Sequence, residues 1–397
     1  MISVDEAVTI IAKEIKALPT EEVAIEEAVG RTLAAPPRAR LTHPPARMSA
    51  MDGYAVALTE ELKEGATFEL RGEAPAGRPF EGTLDNGAVR VFTGSVIPEG
   101  ANHVIIQEEV DRQSNVIKLT TNQPEARHVR GMGTDFSSGD DILPAGYVVK
   151  PIDVALIAAA GITQVTVIKK PVIALFANGD ELVAPSDTPG PGQVVNSITL
   201  GLKPLLESWG AIVLDLGVAR DRKESVKAKF DQASHADLTV PIGGASVGDY
   251  DVVKQLGRER FELHFDKVAV KPGKPVWLGG NDQGSILGLP GNPSSAFACS
   301  HLFVRLAIEA FLGRPSAALK LERARLIEPV GPNGNRENFL RAVVQHNDQG
   351  QLCARVEGRQ DTALLSPFAA SNALLRRMPG QPASEPGATA EVLLIER

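Results

Sequence analysis

The stretch PVIALFANGDEL, residues 171–182, decides the fold. Seven apolar residues run without a break, and loop chemistry follows at once in Asn178, Gly179, Asp180 and Glu181. A strand apolar on both faces belongs inside a parallel sheet, where helices cover both sides. The chain downstream keeps that rhythm. ITLGLKPLLESWG (198–210) reads as a helix, AIVLDLG (211–217) as a strand and KESVKAKFDQA (223–233) as a helix. DLTVPIGG (237–244) is the next strand and VVKQLG (252–257) a short helix, with further strands expected near Phe261, Val276 and Ile286. The long apolar helix SSAFACSHLFVRLAIEAFLG (294–313) closes the unit. Such alternation implies an α/β domain over 170–314 built on a central parallel sheet.

On either side the pattern changes. Downstream, RARLIEPV, NFLRAVVQH, LCARVEG and AEVLLIE are short strands between turns, which describe a small C-terminal β domain over 315–397. Upstream, FELRGEAPAG, AVRVFTG, HVIIQEEV and VIKLTT form a β-rich domain, assigned to 21–37 and 47–139. Val4, Ala7, Ile10, Ile11 and Ile15 recur at helical spacing over 3–17. EEVAIEEAVGRTL (21–33) reads as a second short helix, and PIDVALIAAAGIT (151–163) as a third, ending near Gly161. A helical linker domain is therefore expected from 1–20, 38–46 and 140–169. The chain reads as multi-domain α/β plus β.

Composition narrows the function. The net charge is −8, whereas a general grip on nucleic-acid backbones needs a basic surface. No apolar run approaches the ~18–20 residues of a membrane helix. The two cysteines, Cys299 and Cys353, are far apart, which fits a reducing, cytoplasmic setting and no zinc site. The seven histidines are scattered, and GxGxxG, P-loop and HExxH patterns are all missing from the sequence.

In open α/β sheets ligands bind beyond the carboxyl ends of the strands. The residues that follow the strands here are Asn178-Gly179-Asp180-Glu181, Arg220-Asp221, Gly243 to Asp251, and Pro290-Gly291-Asn292-Pro293. Loop carboxylates suit a hard cation such as Mg²⁺. Glycines around Ser246 let main-chain N–H groups approach an anion. Lys267, Lys271 and Lys274 add three cations within eight positions. Together they describe a site for a phosphorylated or oxyanionic ligand beside a divalent metal.

Residues 49–55, SAMDGYA, resemble the signature of the molybdopterin molybdenumtransferases, known as MoeA in bacteria and as the C-terminal part of gephyrin in animals. Phe92-Thr93-Gly94 with Pro98-Glu99-Gly100, GDEL (179–182), GGASVG (243–248) with Asp251, KPGKP (271–275) and GLPGNP (288–293) resemble further motifs of that family, in the same order. The resemblance covers nearly the whole chain. It implies an elongated multi-domain homodimer with an adenylyltransferase-like pterin-binding domain, a barrel-like C-terminal domain, and contact with the molybdopterin adenylyltransferase. The implied reaction inserts molybdate into adenylylated molybdopterin, with Mg²⁺-dependent release of AMP.

By resemblance, Asp180, Glu181, Asp221 and Asp251 serve the metal. Asp52, Thr93, Glu181, Asp221, Asp251, Lys267 and Lys271 carry the chemistry. Arg130, Asp135, Gly243, Gly244, Ser246, Lys274, Pro290, Asn292, Pro293 and Ser366 hold the substrate. Three positions depart from the family pattern: Asn178 stands for Thr, Ile198 for Asn, and Pro241-Ile242 where Ser or Thr precedes the glycines. These departures keep open a second reading, a catalytically weakened pterin-binding scaffold or carrier.

Overall fold

A computed structural model describes residues 1–244 and 252–395. The chain folds into two units, residues 1–21 with 168–397, and residues 22–167. The four-part division expected from sequence is finer than this. Among the described residues no helix is long and apolar enough to cross a membrane.

The first unit is centred on a six-stranded sheet. Its order is Ile212–Ala219, Val172–Asn178, Leu238–Ile242, Gly284–Gly288, Trp277–Asn281, Glu262–Phe265. The first four strands pair in parallel, as their continuous apolar runs require. The sheet as a whole is mixed, because Trp277–Asn281 runs against both its neighbours. Only Asp282 and Gln283 separate it from Gly284–Gly288, and so short a connection can only reverse the chain. The Asn281 side-chain oxygen accepts the Gln283 and Gly284 N–H groups and fixes that turn.

Helices Ile198–Ser208, Lys223–Gln232 and Val252–Arg260 connect the strands. The apolar segment after Asn292 is helical from Pro293 to Phe311, with a π-helical turn at Ser300–Val304. Its Leu302, Phe303 and Val304 are fully buried, each side chain worth about 1.5–3 kcal/mol of burial. Helix Val4–Glu14 packs into the same core through Val4, Ala7, Val8 and Ile11. Ser3 caps it: its hydroxyl accepts the Glu6 N–H at 3.1 Å, while Glu6 accepts the Ser3 N–H at 2.7 Å.

The tail forms a barrel. Strand Ala373–Arg377 pairs with both Thr389–Leu394 and Glu337–His346, closing the set completed by Leu321–Leu326 and Leu352–Val356. A short strand, Val270–Lys271, is added on Glu337–Asn338 and ties the lysine-bearing segment to the barrel.

In the second unit a six-stranded sheet runs His103–Ile106, Gly53–Val56, Ala88–Val91, Thr67–Ala74, Val116–Leu119, Val110–Gln113. Helix Pro151–Ala159 sits on a separate apolar core that includes Leu33, Ile157 and Val167. The helix expected over 21–33 is absent. Thr20–Ala24 is a strand and Ile25–Glu27 a single 3-10 turn. Val23 and Ile25, two residues apart, are both buried, a strand-like period that overrides the helix-forming composition.

Candidate active site

In the first unit the chain leaves Val172–Asn178 toward one edge of the sheet, and the strand beside it, Leu238–Ile242, leads toward the other. A crevice opens where neighbouring connections diverge in this way. The structure has a cavity of about 740 Å³ there. Its floor is Ala177, Asn178, Ile242, Gly243 and Gly244. Glu181 and Leu182 border one side, Val194 to Ile198 another, and Pro290, Asn292 and Pro293 a third.

Gly243 is a glycine for two reasons. Its φ is +85°, and a Cβ there would lie 2.8 Å from the Asn178 carbonyl oxygen. Its own N–H donates to the Leu289 carbonyl at 3.1 Å, which fixes the Pro290 loop beside it.

The acidic rim is built reciprocally. The Asp180 N–H donates to Asp221 Oδ2 and the Asp221 N–H donates to Asp180 Oδ1, both at 3.2 Å. Asn178 Nδ2 donates to Asp221 Oδ1 at 2.5 Å. Two strand-end loops are thus locked together through two carboxylates. Among the described residues no three His, Cys, Asp or Glu side chains converge as a metal cage.

The lysines lie on the segment that ends at Pro275, which lines the cavity. Lys271 and Lys274 are exposed and Lys267 is half-buried; none is part of the lining. A wall that sequence reading did not supply comes from the barrel. Asn292 Nδ2 donates to Thr362 Oγ1 at 3.1 Å, the Ser294 N–H donates to the Thr362 carbonyl at 3.0 Å, and Ala363 lines the cavity. Ser366 is outside the lining and accepts a long hydrogen bond, 3.5 Å, from Arg359. Ser246 and Asp251 lie outside the described residues. The three departures come together, since Asn178, Ile198 and Ile242 all line the cavity.

The remaining candidates are in the second unit. Asp52 Oδ1 accepts the Thr93 N–H at 2.7 Å and the Thr93 hydroxyl at 2.9 Å. Those two bonds, with Arg90 adding a smaller attraction, hold the Asp52 carboxyl below its ordinary value. The Thr93 loop is fixed in turn: Gly94 N–H donates to the Ser49 carbonyl, and Ser49 N–H to the Ser95 carbonyl. Gly53 pairs with Ile106, and a Cβ there would lie 2.1 Å from the Ile105 carbonyl oxygen, so only glycine fits. Arg130 is exposed on a strand paired with Met48–Ser49, and Asp135 is exposed. Arg90, which no motif flagged, lies over the rings of Tyr54 and Phe92 at 4.8 and 5.1 Å and donates to Gln107 at 2.6 Å.

Comparison with known proteins agrees with both units. The model of the MoeA N-terminal region (domains I and II) matches residues 2–161, that of a probable molybdopterin binding domain residues 174–310, and that of the MoeA C-terminal region (domain IV) residues 323–395. The molybdopterin molybdenumtransferase of Haemophilus influenzae is 32% identical, with 94% of each chain covered. That of a Nostoc species is 31% identical over 89% of this chain and 84% of its own. The solved molybdopterin biosynthesis protein MoeA of Pyrococcus horikoshii superposes with a TM-score of 0.83 at 27% identity, covering 99% of this chain and 100% of that one. The motifs, the fold and these relatives agree: the chain belongs to the molybdopterin molybdenumtransferase family.

Proposed function

We propose that this protein inserts molybdate into adenylylated molybdopterin and releases AMP, the activity carried by its relatives' name and by the resemblance of its motifs. The observation that carries the reading is the cavity at the strand ends. It is large enough for a drug-sized ligand, and has a glycine-rich floor and an acidic rim on one side. In this reading the half-buried main chain at Gly244, in the cavity lining, and the cations of Lys271 and Lys274 meet the anionic parts of the substrates. Asp52, held ionised by Thr93, is a charged acceptor ready at neutral pH.

The donor chemistry of the rim fits Mg²⁺. Asp180 Oδ1 and Asp221 Oδ2 each accept a single backbone N–H, so lone pairs remain on hard oxygens, and Mg²⁺ takes few protein ligands and keeps its waters. When bound it supplies charge neutralisation at phosphate oxygens. Asp180 and Asp221, brought together by their reciprocal bonds, would hold it. Two further expectations belong to the same proposal: a homodimer, which sedimentation tests as twice the chain mass, and contact with the adenylyltransferase that makes the substrate.

The deciding experiment is AMP release from adenylylated molybdopterin by purified protein, with and without molybdate and Mg²⁺. Release that needs Mg²⁺ and rises with molybdate is expected. Tight binding of the pterin without release would replace this reading with the carrier. One observation favours that second reading: two of the three departures, Ile198 and Ile242, put apolar residues in the cavity lining.

A further inference from the structure

We propose that Arg220 is a positioning residue for Glu181, an inference that rests on the insertase reading above. Arg220 is held at both ends. Its N–H donates to Ser225 Oγ at 2.9 Å, close to the start of helix Lys223–Gln232. At the other end a single nitrogen, Nη1, donates to the carbonyls of Asp180 at 3.0 Å and of Leu182 at 3.1 Å. Those two carbonyls flank Glu181. The carbonyl of Glu181 itself accepts the Val194 N–H at 2.9 Å. Three successive carbonyls of an exposed loop are therefore fixed, two of them by one guanidinium group.

The exposed Glu181 carboxylate rests over Gly179 of its own turn, where a Cβ would lie 2.4 Å from its Oε2. Its direction is set by its backbone, and here the backbone is set by Arg220. Asp221 secures the same loop from the neighbouring position, through the Asp180 N–H. The consecutive pair Arg220-Asp221 thus grips the donors and the acceptors of the Asp180–Leu182 turn with opposite charges. Arginine suits this task because its planar group offers several N–H donors in fixed directions. Misplacing a reacting group by about 1 Å costs up to about a hundredfold in rate, so a turn of this kind is worth holding.

The test combines exchange with kinetics on the full-length protein. In Arg220→Gln, amide hydrogen exchange over 180–183 is expected to quicken while the melting temperature holds. AMP release should slow by about tenfold in kcat, with the pterin KM nearly unchanged. Arg220→Lys should recover part of both the exchange protection and the rate. In a double-mutant cycle, Arg220→Gln should cost little more once Glu181→Gln is in place, because one acts through the other. Unchanged exchange at 180–183, or additive losses in the cycle, overturns the inference. A normal rate for Glu181→Gln also overturns it and leaves the insertase reading standing. If the unaltered protein releases no AMP, the insertase reading fails, and exchange at 180–183 still decides whether Arg220 holds the turn.

Discussion

Asp52 and Asp221 are both exposed aspartates at turns, one in each unit, and each accepts a backbone N–H. They differ in how their oxygens are used. Asp221 takes one donor on each oxygen, from Asn178 and from Asp180. Asp52 takes both of its donors, the Thr93 amide and hydroxyl, on Oδ1. A carboxylate with a donor on each oxygen braces two loops against each other. A carboxylate with both donors on one oxygen is oriented and charged, and keeps its second oxygen for something else. In this molecule the motif that matches the family most specifically carries the second kind.

The largest expected effect separates the two roles. Asp52→Ala and Asp52→Asn should each lower AMP release by at least about a hundredfold, with the circular dichroism of the native protein retained. In Asp52→Asn the amide oxygen can still accept both Thr93 donors, so its melting temperature should match the unaltered protein. Loss of the fold in either variant would make Asp52 a structural residue and erase the contrast.

Next comes the glycine beside it. Gly53→Ala drives a methyl into the Ile105 carbonyl and should cost about 2–4 kcal/mol in denaturant unfolding. A loss of less than about 1 kcal/mol would show that the strand pairing yields.

Asp221→Asn should cost about 1–2 kcal/mol, because one of its two oxygens becomes a donor facing another donor. It should also raise the Mg²⁺ concentration for half-maximal AMP release. Unchanged stability would mean that the brace is dispensable.

The smallest effect is a titration. Thr93→Val removes the hydroxyl donor and keeps the amide, so the Asp52 carboxyl should move up toward its ordinary 3.8, seen by carboxyl NMR. The sign follows from the lowered value in the folded protein. The Asp52–Thr93 link contributes above pH 3.8 and is lost as the pH falls through the lower folded value. No acid limb of activity between pH 5 and 7 should therefore be traced to Asp52, on the roughly one-unit breadth of a single titration.

The apolar strands of the α/β domain and the loops that follow them were legible because parallel strands announce themselves as apolar runs and ligand sites sit at their ends. Glu181, Gly243 and Asn292, which line the cavity, each follow a strand in this way. The direction of Trp277–Asn281 was not, since an apolar run carries no sign and only the two-residue turn sets it. Thr20–Ala24 was misread because its composition favours a helix locally while burial of Val23 and Ile25 is a tertiary matter. Thr362 and Ala363 escaped for a similar reason. Nothing in DTAL says that it docks on Asn292, seventy residues upstream. Arg220 and Arg90 are single cations whose value depends on which carbonyls and rings surround them, and no pattern in the sequence encodes that.

The Thr362 clasp has a consequence for synthesis. The side chains that hold it are on the barrel: Gln360 bonds to the Arg341 backbone on both sides, its Oε1 accepting the Arg341 N–H and its Nε2 donating to the Arg341 carbonyl. On the ribosome, the strands bearing the floor of the cavity emerge long before residues 337–364 do. A nascent chain carries a basin open along one wall for as long as that stretch remains in the exit tunnel. Completion of that wall is thus among the last steps in building the cavity.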